Sequence, residues 1–169
     1  MDTPQTKRTE PSFDADERAM LDGWLDYHRA TLLWKCEGQA DEQLRRRSVP
    51  PSRLSLLGLV RHMADVERGW FAEFAQGDST PIYYTDEQPD ADFDAVAEAD
   101  AAADLATLRR EIETCRQLVA DRRLDELETD ELGRHISLRW IYTHMIEEYA
   151  RHNGHADLLR ECIDGTTGH

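Results

Sequence analysis

The sequence predicts an all-α protein, a four-helix bundle of antiparallel helices with a long connection between helices 2 and 3. Four segments, each of roughly 20 residues or more, repeat apolar residues at three- and four-residue steps, as a helix with one buried face does. Proline or glycine interrupts the pattern between these segments. No segment alternates apolar and polar residues long enough to indicate a strand.

The first predicted helix spans residues 14–37 and follows a polar N-terminal tail, residues 1–13, that we expect to be flexible. Its buried face consists of Leu21, Trp24, Leu25, His28, Leu32 and Cys36. Two consecutive prolines in the next connection exclude a continuous helix there. Ser52 or Ser55 can then cap the second predicted helix, residues 54–75.

The second and third helices are joined by an acidic connection, residues 76–94. Structureless loops longer than about 12 residues are uncommon in compact domains and are often functional or mobile, and whether this one closes over a site is left open. The third predicted helix spans residues 95–119. After a break at Gly133, the fourth spans residues 137–163, and Gly165 ends it.

The length and composition indicate one domain, residues 14–169. The chain has 35 acidic and 20 basic residues, a formal net charge of −15 at pH 7. Phosphate binding needs a basic surface and anionic lipids repel an acidic one, so we expect neither nucleic acid nor a membrane as partner. Three cysteines far apart and an N-terminus without an apolar core indicate a reduced, cytoplasmic protein.

The fourth predicted helix carries polar side chains inside its apolar face. With His144 at 0° on a helical wheel, Glu148 lies at about 40° and His152 at about 80°. The apolar residues Ile141 and Leu159 lie between them, at about 60°. An ionised carboxylate is costly to bury without a partner, and a cation shared by Glu148 and His152, one turn apart, removes that cost. Alternatively, the two residues bond each other, or Glu148 pairs with an arginine of another helix.

A third ligand is available on the second helix. His62 lies at the border of the buried face, at about 40° from Val66. A lone histidine there is more often a packed core residue. Together with Glu148 and His152, however, it completes a set suited to a divalent metal, with zinc preferred and nickel or iron as alternatives. Three further histidines are expected around this set, where they could orient the ligands by hydrogen bonds: His28, His144 and His155.

Two motifs carry a resemblance to a known family: SLLGLVRHMADVERGWF in the second helix and WIYTHMIEEYARHNGHADLLRE in the fourth. With them the chain resembles, over nearly its whole length, the DinB/YfiT-like superfamily of metal-binding four-helix bundles. Within it, the chain is most similar to an actinobacterial branch of largely uncharacterised proteins. Many members use three histidines, two of them as HxxxH on the last helix. The ExxxH variant of this chain resembles mycothiol-dependent maleylpyruvate isomerase, whose ligand positions match His62, Glu148 and His152.

The resemblance implies a metal near one end of the bundle, often within a homodimer, and a cosubstrate thiol such as mycothiol. We therefore expect a metal-dependent thiol transferase or isomerase, because a bound cation favours the thiolate, which attacks a small electrophile. The main alternative is a non-catalytic, metal-stabilised binding or stress-response dimer. Metal-dependent hydrolysis is a further alternative, although no general base stands beside the set in the sequence. The last alternative is a helical bundle that binds no metal.

Overall fold

The computed structural model describes residues 6–130 and 132–168, and these are mostly helical. The helices, in chain order, are α1 (Glu17–Cys36), α2 (Asp41–Arg45), α3 (Leu56–Glu67), α4 (Ala91–Asp94), α5 (Ala101–Val119) and α6 (Leu138–Asp164). The strands are β1 (Leu127–Thr129) and β2 (His135–Ser137).

The prediction of a predominantly helical chain is confirmed, but the all-α class omits an antiparallel hairpin formed by β1 and β2. Leu127 pairs with Ser137, and Thr129 pairs with His135. Each strand has only three residues, which is too short for an alternating pattern to be recognised in the sequence. The hairpin leads directly into α6, where the Ser137 hydroxyl accepts a hydrogen bond from the Trp140 N–H and caps the helix.

Local capping explains where the other helices begin and end. Ser55, one of the two predicted caps, accepts a hydrogen bond from the Gly58 N–H at the start of α3. Asp100 caps α5, so this helix begins later than the predicted range 95–119. Gly165 follows α6 with a φ of 80°, a left-handed conformation that glycine adopts at little cost.

The second predicted helix, residues 54–75, is not uniformly α-helical. Helix α3 ends at Glu67 and continues as a π-helical turn, Arg68–Ala72. Such a turn inserts one residue into the helix and is frequent at functional sites. It therefore changes the direction of the side chains that follow Glu67, including that of Trp70.

The long helices pack in pairs, α1 against α6 and α3 against α5, while α3 also contacts α1 and α6. A charged network crosses this core. Arg29 of α1 donates two hydrogen bonds of 2.6 Å each to the carboxylate of Glu67, which is fully buried. The Tyr149 hydroxyl of α6 donates a third, at 2.8 Å, to the same carboxylate. Three helices thus meet at one buried ion pair.

The predicted flexible tail is described only in part. Residues 1–5 lie outside the described residues, and the described part up to residue 13 contacts α1. The Arg8 guanidinium lies 4.0 Å from the ring centroid of Trp34, and Pro11 packs closely on Gly23. The tail's flexibility and the single-domain boundary remain predictions. Among the described helices, none combines the length and apolar character that crossing a membrane requires.

Candidate metal centre

The packing of α3 on α6 brings His62 to Glu148 and His152. One potential ligand atom from each residue lies within 4.8 Å of the others. The Nε2 atom of His152 is 3.3 Å from Glu148 Oε2, and the ring centroids of His62 and His152 are 4.8 Å apart. The three residues singled out in the sequence therefore converge from two helices.

This group is partly shielded from water. The side chains of His62, Glu148 and His152 are 25%, 18% and 12% exposed. Burial, followed by the neighbouring His62, lowers the pKa of His152 to about 4. The His152 imidazole is consequently neutral near pH 7 and offers a nitrogen lone pair.

The donor types suit a divalent ion. Ligand atoms held at about 2.0–2.2 Å from a tetrahedral zinc ion stand roughly 3.3 Å apart. The 3.3 Å between His152 and Glu148 already matches this spacing, and His62, whose ligand atom lies within 4.8 Å of the other two, would need to approach them by at most about 1.5 Å. Two imidazoles and one carboxylate would leave a fourth coordination position open, as in catalytic zinc sites.

Asp92 orients His62 and was missed in the sequence. Its Oδ2 atom is 2.8 Å from His62 Nδ1, while its Oδ1 atom accepts a hydrogen bond from the Phe93 N–H. A buried carboxylate on Nδ1 favours the tautomer that leaves the Nε2 lone pair free for a metal. Asp92 belongs to α4, within the connection 76–94, and nothing in the sequence distinguishes it from the other acidic residues there.

Two of the expected outer histidines adjoin the ligand group. His144 Nε2 is 3.8 Å from Glu148 Oε1, and its ring stacks on Trp140 at a centroid distance of 5.0 Å. His155 Nδ1 is 3.4 Å from His152 Nδ1.

The remaining candidate, His28, is coupled to a different residue of α6. Its backbone carbonyl accepts a hydrogen bond of 3.0 Å from the Asn153 amide. Burial lowers the pKa of His28, as expected for an imidazole held within the packing of α1.

A second acidic group shares Glu148 with the first. His144, Glu147 and Glu148 also offer ligand atoms within 4.8 Å of one another. Glu147 is exposed, however, and forms a close ion pair with Arg151. The group containing His62 is better shielded and includes two imidazoles, so it is the stronger candidate metal centre.

A cavity of about 410 Å³ opens beside His62. Its walls come from α3, the π-helical turn, the hairpin and the connection 76–94, and they include Trp70 and Tyr84. The connection is anchored over α3 because both carboxylate oxygens of Asp65 accept backbone N–H groups, from Ile82 and Tyr83. The connection 76–94, whose role the sequence left open, therefore forms a wall of the cavity.

The family model described as mycothiol-S-transferase matches residues 20–165. The chain belongs to the mycothiol-S-transferase family. This membership agrees with the resemblance of the chain to the mycothiol-dependent enzymes among the DinB-like proteins. Comparison with curated proteins gives no match.

The cysteines of this mycothiol-S-transferase family member are placed away from the cavity lining. Cys36 and Cys115 are buried, whereas Cys162 is exposed near the end of α6. Burial raises the pKa of Cys36 to about 12 and also raises that of Cys115. These two thiols are therefore protonated and unreactive near neutral pH.

Asp92→Asn is expected to weaken zinc binding about 10–100-fold, the usual effect of removing a carboxylate that orders a ligand histidine. The amide keeps the size of the carboxylate but loses the charge that holds His62 Nδ1–H. Competition with a chromophoric chelator measures the affinity, and circular dichroism checks the fold. Asp86→Asn, an exposed change in the same connection, is the control. Equal affinities for the two variants would show that Asp92 does not orient the ligand.

Proposed function

We propose that this chain is a metal-dependent transferase that activates a low-molecular-weight thiol of the mycothiol type for attack on a small electrophile. One observation carries the proposal: His62, Glu148 and His152 converge beside a cavity in a member of the mycothiol-S-transferase family. Zinc is the preferred ion, because a site of two imidazoles and one carboxylate is typical of it.

The chain's own residues prepare this chemistry. When bound, a zinc ion would supply positive charge that favours the ionised form of a nearby thiol. Asp92 engages His62 Nδ1, which leaves Nε2 as the nitrogen available to a metal, and the neutral His152 imidazole offers a lone pair. Partial burial of the three side chains limits competing water.

The transfer balances without a further reagent. The thiol releases its proton to solvent, and its sulfur forms a bond to an electrophilic carbon. The leaving group departs with the electron pair of the bond that breaks. The nucleophile comes from the cosubstrate, since the described cysteines lie outside the cavity lining.

A conjugation assay tests this function. The protein supplied with zinc is incubated with mycothiol and a bromobimane, and formation of the fluorescent conjugate is followed. We expect chelation or Glu148→Gln to reduce the rate at least about 100-fold, equivalent to about 2.7 kcal/mol of transition-state stabilisation. If a broad panel of electrophiles gives no turnover above that of Glu148→Gln, the chain is not such a transferase.

We also propose the finer assignments that the resemblance implies. The four long helices would form a DinB-type bundle, which the pairing of α1 with α6 and of α3 with α5 supports. The free cysteines support a cytoplasmic location, and the net charge of −15 argues against nucleic acid and membrane partners. The homodimer and the actinobacterial branch rest on the resemblance. Light scattering tests the dimer.

A further inference from the structure

The cavity beside His62 is strongly acidic. Among the residues that the structure describes, six carboxylates line it, against a single guanidinium, that of Arg134. The six are Asp65, Glu73, Asp90, Asp92, Glu128 and Asp130. Arg134 does not offset the others, because its Nε atom already lies 2.6 Å from Asp130. A concave wall of one sign raises the local concentration of ligands of the opposite charge.

Two of these carboxylates are available to a ligand. The other four are engaged within the protein by backbone N–H groups, His62 or arginine side chains. Glu73 and Asp90 are exposed, and neither side chain has a hydrogen bond or ion pair within the part of the chain that the structure describes. Their negative charge is therefore uncompensated.

Aromatic rings lie beside the carboxylates that line the cavity. Trp70, Tyr84 and Phe93 line the same cavity, and the Phe93 ring centroid is 4.9 Å from that of His62. A cation is attracted to the face of an aromatic ring and to a nearby carboxylate, while the apolar ring surface binds an apolar body. The aromatic wall begins at the candidate metal ligand, so a molecule bound there would lie next to the reacting thiol.

We propose that this cavity is the electrophile site and that it selects by charge. It takes small electrophiles that carry an ammonium group on an apolar body, and it repels carboxylate-bearing ones. The ammonium group would lie near Glu73 and Asp90, and the apolar body would lie on Trp70 and Phe93. This inference rests on the proposed function for the identity of the ligand as an electrophile, but the charge selection is a property of the cavity itself.

Three unreactive probes that share a benzyl group and differ in charge test the selection: benzyltrimethylammonium, benzyl alcohol and phenylacetate. Calorimetry is done without thiol and on metal-free protein, because the open position of a bound zinc ion would itself bind the carboxylate of phenylacetate. We expect the cation to bind about tenfold more tightly than the alcohol and phenylacetate not to bind measurably. Raising the salt concentration from about 0.05 M to about 0.5 M should weaken the binding of the cation but not that of the alcohol, because salt screens exposed charges.

Two variants locate the probe. A Cβ added at Gly69, which lines the cavity, meets nothing within 4 Å, so Gly69→Leu fills the space without a backbone clash. We expect it to abolish binding of the cation. Gly154→Leu on α6 is the matched control, because its Cβ also meets nothing within 4 Å and it lies outside the cavity lining. The control should bind the cation as the unmodified protein does.

A variant that removes charge separates electrostatic attraction from the fit of the probe to the shape of the cavity. Glu73→Gln combined with Asp90→Asn is expected to weaken binding of the cation at least about fivefold and to leave the affinity for benzyl alcohol unchanged. Glu161→Gln, an exposed carboxylate of α6 outside the cavity, is the control. The comparison between the double charge variant and Glu161→Gln is informative even if Gly69→Leu fails to fold.

Three results would overturn the proposal: equal binding of cation and alcohol, unchanged binding in Gly69→Leu, or displacement of the cation by a thiol-free inositol glycoside. The last would assign the cavity to the sugar part of the thiol cosubstrate. Indifference to charge together with active conjugation refutes this inference and leaves the transferase intact. Charge selection without any conjugation refutes the transferase and leaves a site for organic cations.

Discussion

Arg29→Ala is expected to lower the free energy of unfolding by about 3–5 kcal/mol, because it leaves the carboxylate of Glu67 buried without its counter-ion. Glu67 is fully buried, and Tyr149 can donate only one hydrogen bond to it. Burial by itself would lower the pKa of Arg29, yet the charge of Glu67 raises it, which shows how strongly the two are coupled. Urea unfolding followed by circular dichroism measures the change.

The same variant should lower the melting temperature by roughly 6–20 °C for a domain of this size. Arg110→Ala is the matched control, since Arg110 is 62% exposed, and its effect should stay within about 0.5 kcal/mol. The triple change Arg29→Met, Glu67→Leu and Tyr149→Phe should recover most of the loss, because it removes both charges together with the buried hydroxyl that donates to Glu67. A loss below about 1 kcal/mol in Arg29→Ala would mean that water reaches Glu67.

His152→Ala is expected to abolish stoichiometric zinc binding, because it removes one of the three proposed ligands and the carboxylate–imidazole contact with Glu148. Elemental analysis of untagged protein measures zinc per chain. Zinc at 1,000 times its dissociation constant stabilises a protein by about 4.1 kcal/mol. A chelator should therefore lower the melting temperature of the unmodified protein and leave that of His152→Ala unchanged.

The control for this experiment is His135→Ala. His135 is exposed on β2, where its Nδ1 atom is 3.1 Å from the Thr129 hydroxyl. This variant should retain zinc and respond to the chelator as the unmodified protein does. Zinc retained by His152→Ala at full stoichiometry would place the ion elsewhere, and an unmodified protein that binds none would refute the metal centre.

Local signals predicted most of the helices. Apolar residues at helical spacing marked α1, α5 and α6, and the predicted bounds of α6, residues 137–163, differ from the observed ones by one residue at each end. Ser55 and Gly165 act as predicted because capping depends on groups a few residues away. The hairpin and the π-helical turn escaped prediction, since neither leaves a long enough periodic pattern.

The candidate site likewise has some features that the sequence predicts and others that it does not. The sequence by itself determined the donor types and the helix faces of His62, Glu148 and His152, since one turn of helix sets the spacing of the last two. Only the tertiary structure decided that Asp92 holds His62, that Glu67 is buried against Arg29, and that an acidic, aromatic cavity adjoins the group. These features join segments distant in the chain, and a charged side chain has the same local signature whether it faces water or a buried partner.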